Sequence, residues 1–140
     1  PPAPVQVAFK ADERKLGEEK GHTACALDTV AGAPATDEIT VGRDASLPIV
    51  GWAADPAGTV PPVVTMELVG PHRYFVALQR ITKRPDVAEV MKAPALVDSG
   101  YDALVSFSAV EPGTYSVHVT QVTSWADVLG CDTRRKIKVQ

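Results

Sequence analysis

Short runs of alternating apolar and polar residues, cut by glycine- and proline-bearing turns, constrain this chain more than any other feature. The runs fall at 25–30, 38–41, 47–53, 63–69, 74–78, 101–109, 114–122 and 133–139. The turns include Asp55-Pro56-Ala57-Gly58, Gly70-Pro71 and Glu111-Pro112-Gly113, where proline and glycine set the backbone angles that a reversal needs. Seven to eight short strands with a turn about every ten residues form the pattern of an antiparallel immunoglobulin-like β-sandwich, with a β-barrel as the alternative. The period changes once. Val87, Val90 and Met91 stand at helical spacing after Pro85, so one short helix is expected over 85–91.

A chain of 140 residues fits one such domain. We expect residues 1–21 to be a flexible arm or linker and 22–140 to be the sandwich. The opening Pro1-Pro2-Ala3-Pro4 suits a linker, and residues 10–20 carry mixed charges without an apolar stripe. Between them, residues 5–9 alternate and could form an edge strand. The net charge of −3 argues against nucleic-acid binding. No apolar run approaches the roughly 20 residues of a membrane-spanning helix.

Cys25 and Cys131 stand near the two ends of the expected sandwich, without a CxxC pair or zinc spacing. They are either a disulfide tying the first strand to the last or two buried free thiols. We expect the disulfide. Closing a loop of about 100 residues would stabilise the fold by roughly 4–5 kcal/mol in the chain-entropy account. It would also place the protein in an oxidising compartment, outside the cytoplasm.

Among possible binding residues, Trp125 lies in a polar loop and is the better placed of the two tryptophans to present an exposed ring. Trp52, inside an apolar strand, is expected to pack between the sheets. Tyr74 and Tyr101 are expected to be half-buried strand residues with solvated hydroxyls. Arg84 and Asp86 flank Pro85 at the start of the helix, where they could hold a polar ligand. In a structural role, Asp86 would favour the helix dipole and Arg84 would pair with Asp55 or Asp98.

Catalytic chemistry finds little support. His22, His72 and His118 are scattered, and Ser99 sits in a turn without a G-x-S-x-G elbow. No calcium loop and no phosphate-binding glycine loop is present. We expect no enzyme, no metal and no cofactor.

An ordered series of short motifs supplies the remaining signal. It comprises Ala26-Leu27-Asp28-Thr29-Val30-Ala31-Gly32, then Gly51-Trp52-Ala53-Ala54-Asp55, then Arg84-Pro85-Asp86-Val87, Ser99-Gly100-Tyr101 and Pro112-Gly113-Thr114-Tyr115, with an aromatic at Tyr74. This series resembles an accessory β-sandwich domain of bacterial envelope and glycosyltransferase-associated proteins. The likeness covers residues 24–139. The longer stretch Arg80-Ile81-Thr82-Lys83 before the arginine motif departs from it, and the cysteine pair is no requirement of it. The resemblance implies a non-catalytic extracytoplasmic module serving recognition or positioning in cell-surface polysaccharide biology, with a surface glycan or a larger envelope protein as partner. Under this reading Trp125, Arg84, Asp86 and Tyr74 would contact ligand. The alternative is a structural or protein-interaction domain that uses an edge strand or the N-terminal arm.

Overall fold

The alternating runs pair into two sheets that face one another across an apolar core. The computed structural model describes residues 4–12, 24–55, 57–123 and 128–140. Its elements are β1 (Val5–Val7), β2 (Phe9–Lys10), β3 (Ala24–Val30), β4 (Ala33–Pro34), β5 (Glu38–Val41), β6 (Ser46–Ala54), β7 (Val63–Val69), β8 (Arg73–Ala77), α1 (Pro85–Val90), β9 (Gly100–Ser106), β10 (Gly113–Val122) and β11 (Val128–Val139). A 3-10 turn over Pro94–Asp98 follows α1.

The first sheet runs β1-β9-β6-β3-β4 and the second β2-β8-β7-β10-β11-β5. β1 lies parallel to β9 and β5 parallel to β11, while the long strands pair antiparallel. The chain changes sheet repeatedly, including between β1 and β2, β4 and β5, β5 and β6, β6 and β7, β8 and β9, and β9 and β10. The result is an antiparallel immunoglobulin-like β-sandwich with one short helix.

Strand alternation places Leu27, Ile49 and Tyr101 against Leu68, Val117 and Ile137, each at most 3% exposed. Cys25 on β3 and Cys131 on β11 are joined across the two sheets, which decides between the disulfide and the free thiols. At the β9–β10 corner the Tyr115 hydroxyl donates to the Glu111 carbonyl at 2.7 Å. This is the tyrosine corner of immunoglobulin-like sandwiches, and it pins the reversal where the chain changes sheets.

Three strands depart from the expected positions. β11 begins at Val128, earlier than the run at 133–139 suggested, because a register shift opposite Val117/His118 breaks its alternation. Val5–Val7 and Phe9–Lys10, inside the stretch expected to be an arm, are hydrogen-bonded strands. β1 pairs with β9 in the first sheet and β2 with β8 in the second, so one extended segment covers the edges of both. Between them Ala8 is fully buried and donates its N–H to the Ser106 carbonyl at 3.2 Å.

Trp52 is not between the sheets. Ile49 and Ala53 face the core, and Gly51 abuts the buried Tyr101, so period-two alternation sends Trp52 to the outer face. There it packs into a second, smaller cluster with Val87, Leu96 and Ala54, underneath α1.

Candidate functional site

Asp28, Arg84, Asp86 and Gly100 of the motif series come together on the outer face of the first sheet, around Arg84. β3 carries a register irregularity at Asp28, which has no partner between Leu27↔Gly51 and Thr29↔Val50. Such a bulge re-aims a side chain. The Asp28 carboxylate accepts from Arg84 Nη1 at 2.6 Å. The rest of the guanidinium grips Asp86 in a two-pronged bond, Nε to Oδ1 at 3.0 Å and Nη2 to Oδ2 at 2.9 Å. Pro85 opens α1 at a position where no amide is needed, and the Arg84 N–H donates to the Val97 carbonyl at 2.8 Å. Arg84 therefore ties β3, α1 and the following turn together.

The charges respond to this arrangement. The hydrogen bond from Arg84 lowers Asp86 to about 2, and the bond to Asp86 in turn raises Arg84 above its ordinary value, with Asp28 adding to the effect. A fork already shared by two carboxylates has little capacity left for a third anion.

Beneath the clasp, two glycines permit close approach. A side chain on Gly51 would put its Cβ 2.1 Å from the Ala26 carbonyl oxygen and 2.3 Å from the Tyr101 hydroxyl. Tyr101, 1% exposed, instead donates that hydroxyl to the Ala26 carbonyl at 2.8 Å, and burial holds it well above the usual tyrosine range. At Gly100 a Cβ would lie 2.2 Å from the Thr82 carbonyl and 2.8 Å from Cγ of Arg84. The Gly-Trp and Ser-Gly-Tyr motifs are thus complementary halves of one contact.

Arg80, four residues before Arg84, is the more buried cation of the two. Its Nε donates to the Pro61 carbonyl at 2.7 Å, Nη1 to the carbonyls of Ala53 and Ser99 at 3.0 and 2.7 Å, and Nη2 to Oε1 of Gln121 at 2.7 Å. Burial lowers it to about 10. It joins the ends of both sheets through neutral acceptors. Within Arg80-Ile81-Thr82-Lys83-Arg84 nothing in the residue pattern marks one arginine as buried.

Beside the clasp lies a cleft of about 230 Å³. Pro48, Val50 and Leu104 supply its apolar lining, Ile81 stands at its rim 67% exposed, and Asp102 supplies a carboxylate. The segment over the cleft is held by reciprocal backbone bonds between Gln79 and Asp102, both 2.9 Å. The Thr82 hydroxyl donates to Asp102 Oδ2 at 2.8 Å.

Of the residues singled out from sequence, Arg84 and Asp86 are brought together. The partner of Arg84 across the fold is Asp28, in place of the expected Asp55 or Asp98. Asp98 pairs with Lys83, and Asp55 accepts from the Thr59 N–H at 2.8 Å. Tyr74 must be withdrawn as a ligand contact. It is 1% exposed, packs edge-to-face on Tyr115 with ring centres 5.6 Å apart, and its hydroxyl accepts from the Glu111 N–H at 3.1 Å. The solvated hydroxyls expected for Tyr74 and Tyr101 are likewise corrected: both bond backbone inside the protein. Trp125 and His22 lie outside the described residues.

His72 does meet carboxylates, with Nδ1 3.0 Å from Asp12 Oδ2 and Nε2 2.6 Å from Glu111 Oε2. Both ring nitrogens are engaged, so neither faces a nucleophile. Among the described residues no cluster of histidine, cysteine, aspartate and glutamate could hold a metal ion.

No protein-family model matches the sequence, and no curated relative matches it. Among solved structures, the chain is similar to murine CRIg, with a TM-score of 0.38 at 12% identity over 86% of this chain and 98% of that one.

Proposed function

We propose that this protein is a non-catalytic, extracytoplasmic accessory module for recognition or positioning in cell-surface polysaccharide biology, with its contact surface on the outer face of the first sheet. One observation carries the reading. Asp28, Arg84, Asp86 and Gly100 of the motif series gather on that face, the three charged ones commit their charges to one another, and beside them lies a cleft with an apolar lining and a single carboxylate. Apolar walls with a few placed polar groups are the usual make-up of a ligand site. At about 230 Å³ the cleft is smaller than the roughly 300–1,000 Å³ of enclosed pockets for larger ligands, which suits one sugar ring laid on an apolar floor. The disulfide-closed sandwich fits an oxidising compartment. The ordered motif series supplies the link to envelope polysaccharide.

An array of bacterial surface polysaccharides, probed with the full chain and with Ile81→Asp and Trp125→Ala, tests this. Selective binding that falls tenfold or more in Ile81→Asp supports the cleft. Loss confined to Trp125→Ala would move the site to that residue. Uniform, weak signal across the array would overturn the proposal.

A further inference from the structure

The segment from Pro4 to Asp12 makes its strand-pairing contacts with residues far along the chain. β1 pairs through Val5↔Leu104, Gln6↔Val105 and Val7↔Ser106, and β2 through Phe9↔Phe75 and Lys10↔Tyr74. Phe9 lies against the Phe75 ring with centres 5.9 Å apart. The Ala11 N–H donates to the Arg73 carbonyl at 2.8 Å, and Asp12 accepts from the Arg73 N–H at 2.6 Å beside His72. These partners all lie between His72 and Ser106. Residues 13–23 separate the segment from β3, a stretch that extends at most about 40 Å.

We propose that residues 4–12 are an exchangeable strand, and that the groove between the edges of β9 and β8 accepts them from a second copy of this chain. The groove is shaped for this segment: it takes a small side chain at Ala8, which is fully buried, an aromatic against Phe75, and a carboxylate at the Arg73 amide. A second copy offers the same side chains in the same order. The exchanged pair therefore makes every contact of the closed monomer, reciprocally, about a two-fold axis. Chain concentration then decides between the forms, because closing on itself competes with capture by a neighbour.

The test uses full-length chains with cysteines on two solvent-reachable, paired positions. Val5→Cys and Leu104→Cys chains are mixed, unfolded and refolded together, oxidised, and mapped by mass spectrometry of linked peptides. Exchange predicts an interchain link between the two substituted positions, in a fraction that grows in proportion to concentration. It further predicts loss of that link when Ala8→Asp is added to the Val5→Cys chain. The double variant Val5→Cys/Leu104→Cys reports the closed form through an intrachain link. An intrachain link in the double variant, with no interchain link in the mixture up to millimolar chain, overturns the proposal. Absence of both links also overturns it, since the segment would then not occupy the groove.

Discussion

Gly51 shows how a single missing side chain arranges its surroundings. The space its Cβ would fill holds the Tyr101 hydroxyl and the Ala26 carbonyl, so the motif needs glycine for close approach and not for a turn. Gly51→Ala is predicted to destabilise the protein by about 1–3 kcal/mol, the range for overpacking a rigid core, read as a lowered midpoint in chemical denaturation. A neutral result would mean that Tyr101 is free to swing aside. At this scale the sequence was partly legible. Gly-Trp inside an apolar run marked a special strand, but the face taken by each residue depended on register. An apolar run such as that around Trp52 has no visible period, so the sequence alone points Trp52 between the sheets and only the register sends it outward. Arg80 and Arg84 differ by four positions and look alike in sequence. One is buried among carbonyls and the other clasps two carboxylates, and only the fold distinguishes them.

Most elements could be read from alternation and turn chemistry. β7 and β8 form the expected hairpin, and α1 occupies Pro85–Val90 close to the expected 85–91. What escaped was the partner of α1. A helix of six residues is too short to be stable alone, and it persists here by burying Val87 with Leu96 over Trp52 while Arg84 clasps Asp86 in its first turn. The acid in that turn gives the element a pH signature. The folded protein holds Asp86 at about 2, below its ordinary 3.8. A depressed carboxyl contributes stability above its unfolded value and loses it as pH falls through the folded one. Stability should therefore drop between about pH 4 and pH 2, and the drop should be shallower in Asp86→Asn, as measured by denaturant midpoints across that interval. Identical slopes in the two proteins would remove Asp86 from the account.

Across the whole molecule, the disulfide, the tyrosine corner and the first segment close the sandwich at different places. The disulfide was readable from two cysteines at the far ends of the fold. The seating of residues 5–10 on two sheet edges was less so, because pairing partners about 65 to 100 residues away leave no local trace. The motif series makes the same point in reverse. Asp28, Arg84 and Gly100 are scattered in sequence, yet they meet on one face, and Arg84 is the residue that joins them. A double-mutant cycle on Arg84→Ala and Asp28→Ala, read from denaturation of the two single variants and the double, measures that connection. Direct contact at a partly exposed site predicts a coupling of about 1 kcal/mol, within the roughly 0.5–3 kcal/mol range of contacting pairs. Additivity within about 0.3 kcal/mol would mean the two residues act independently, and the clasp at the centre of this account would not exist.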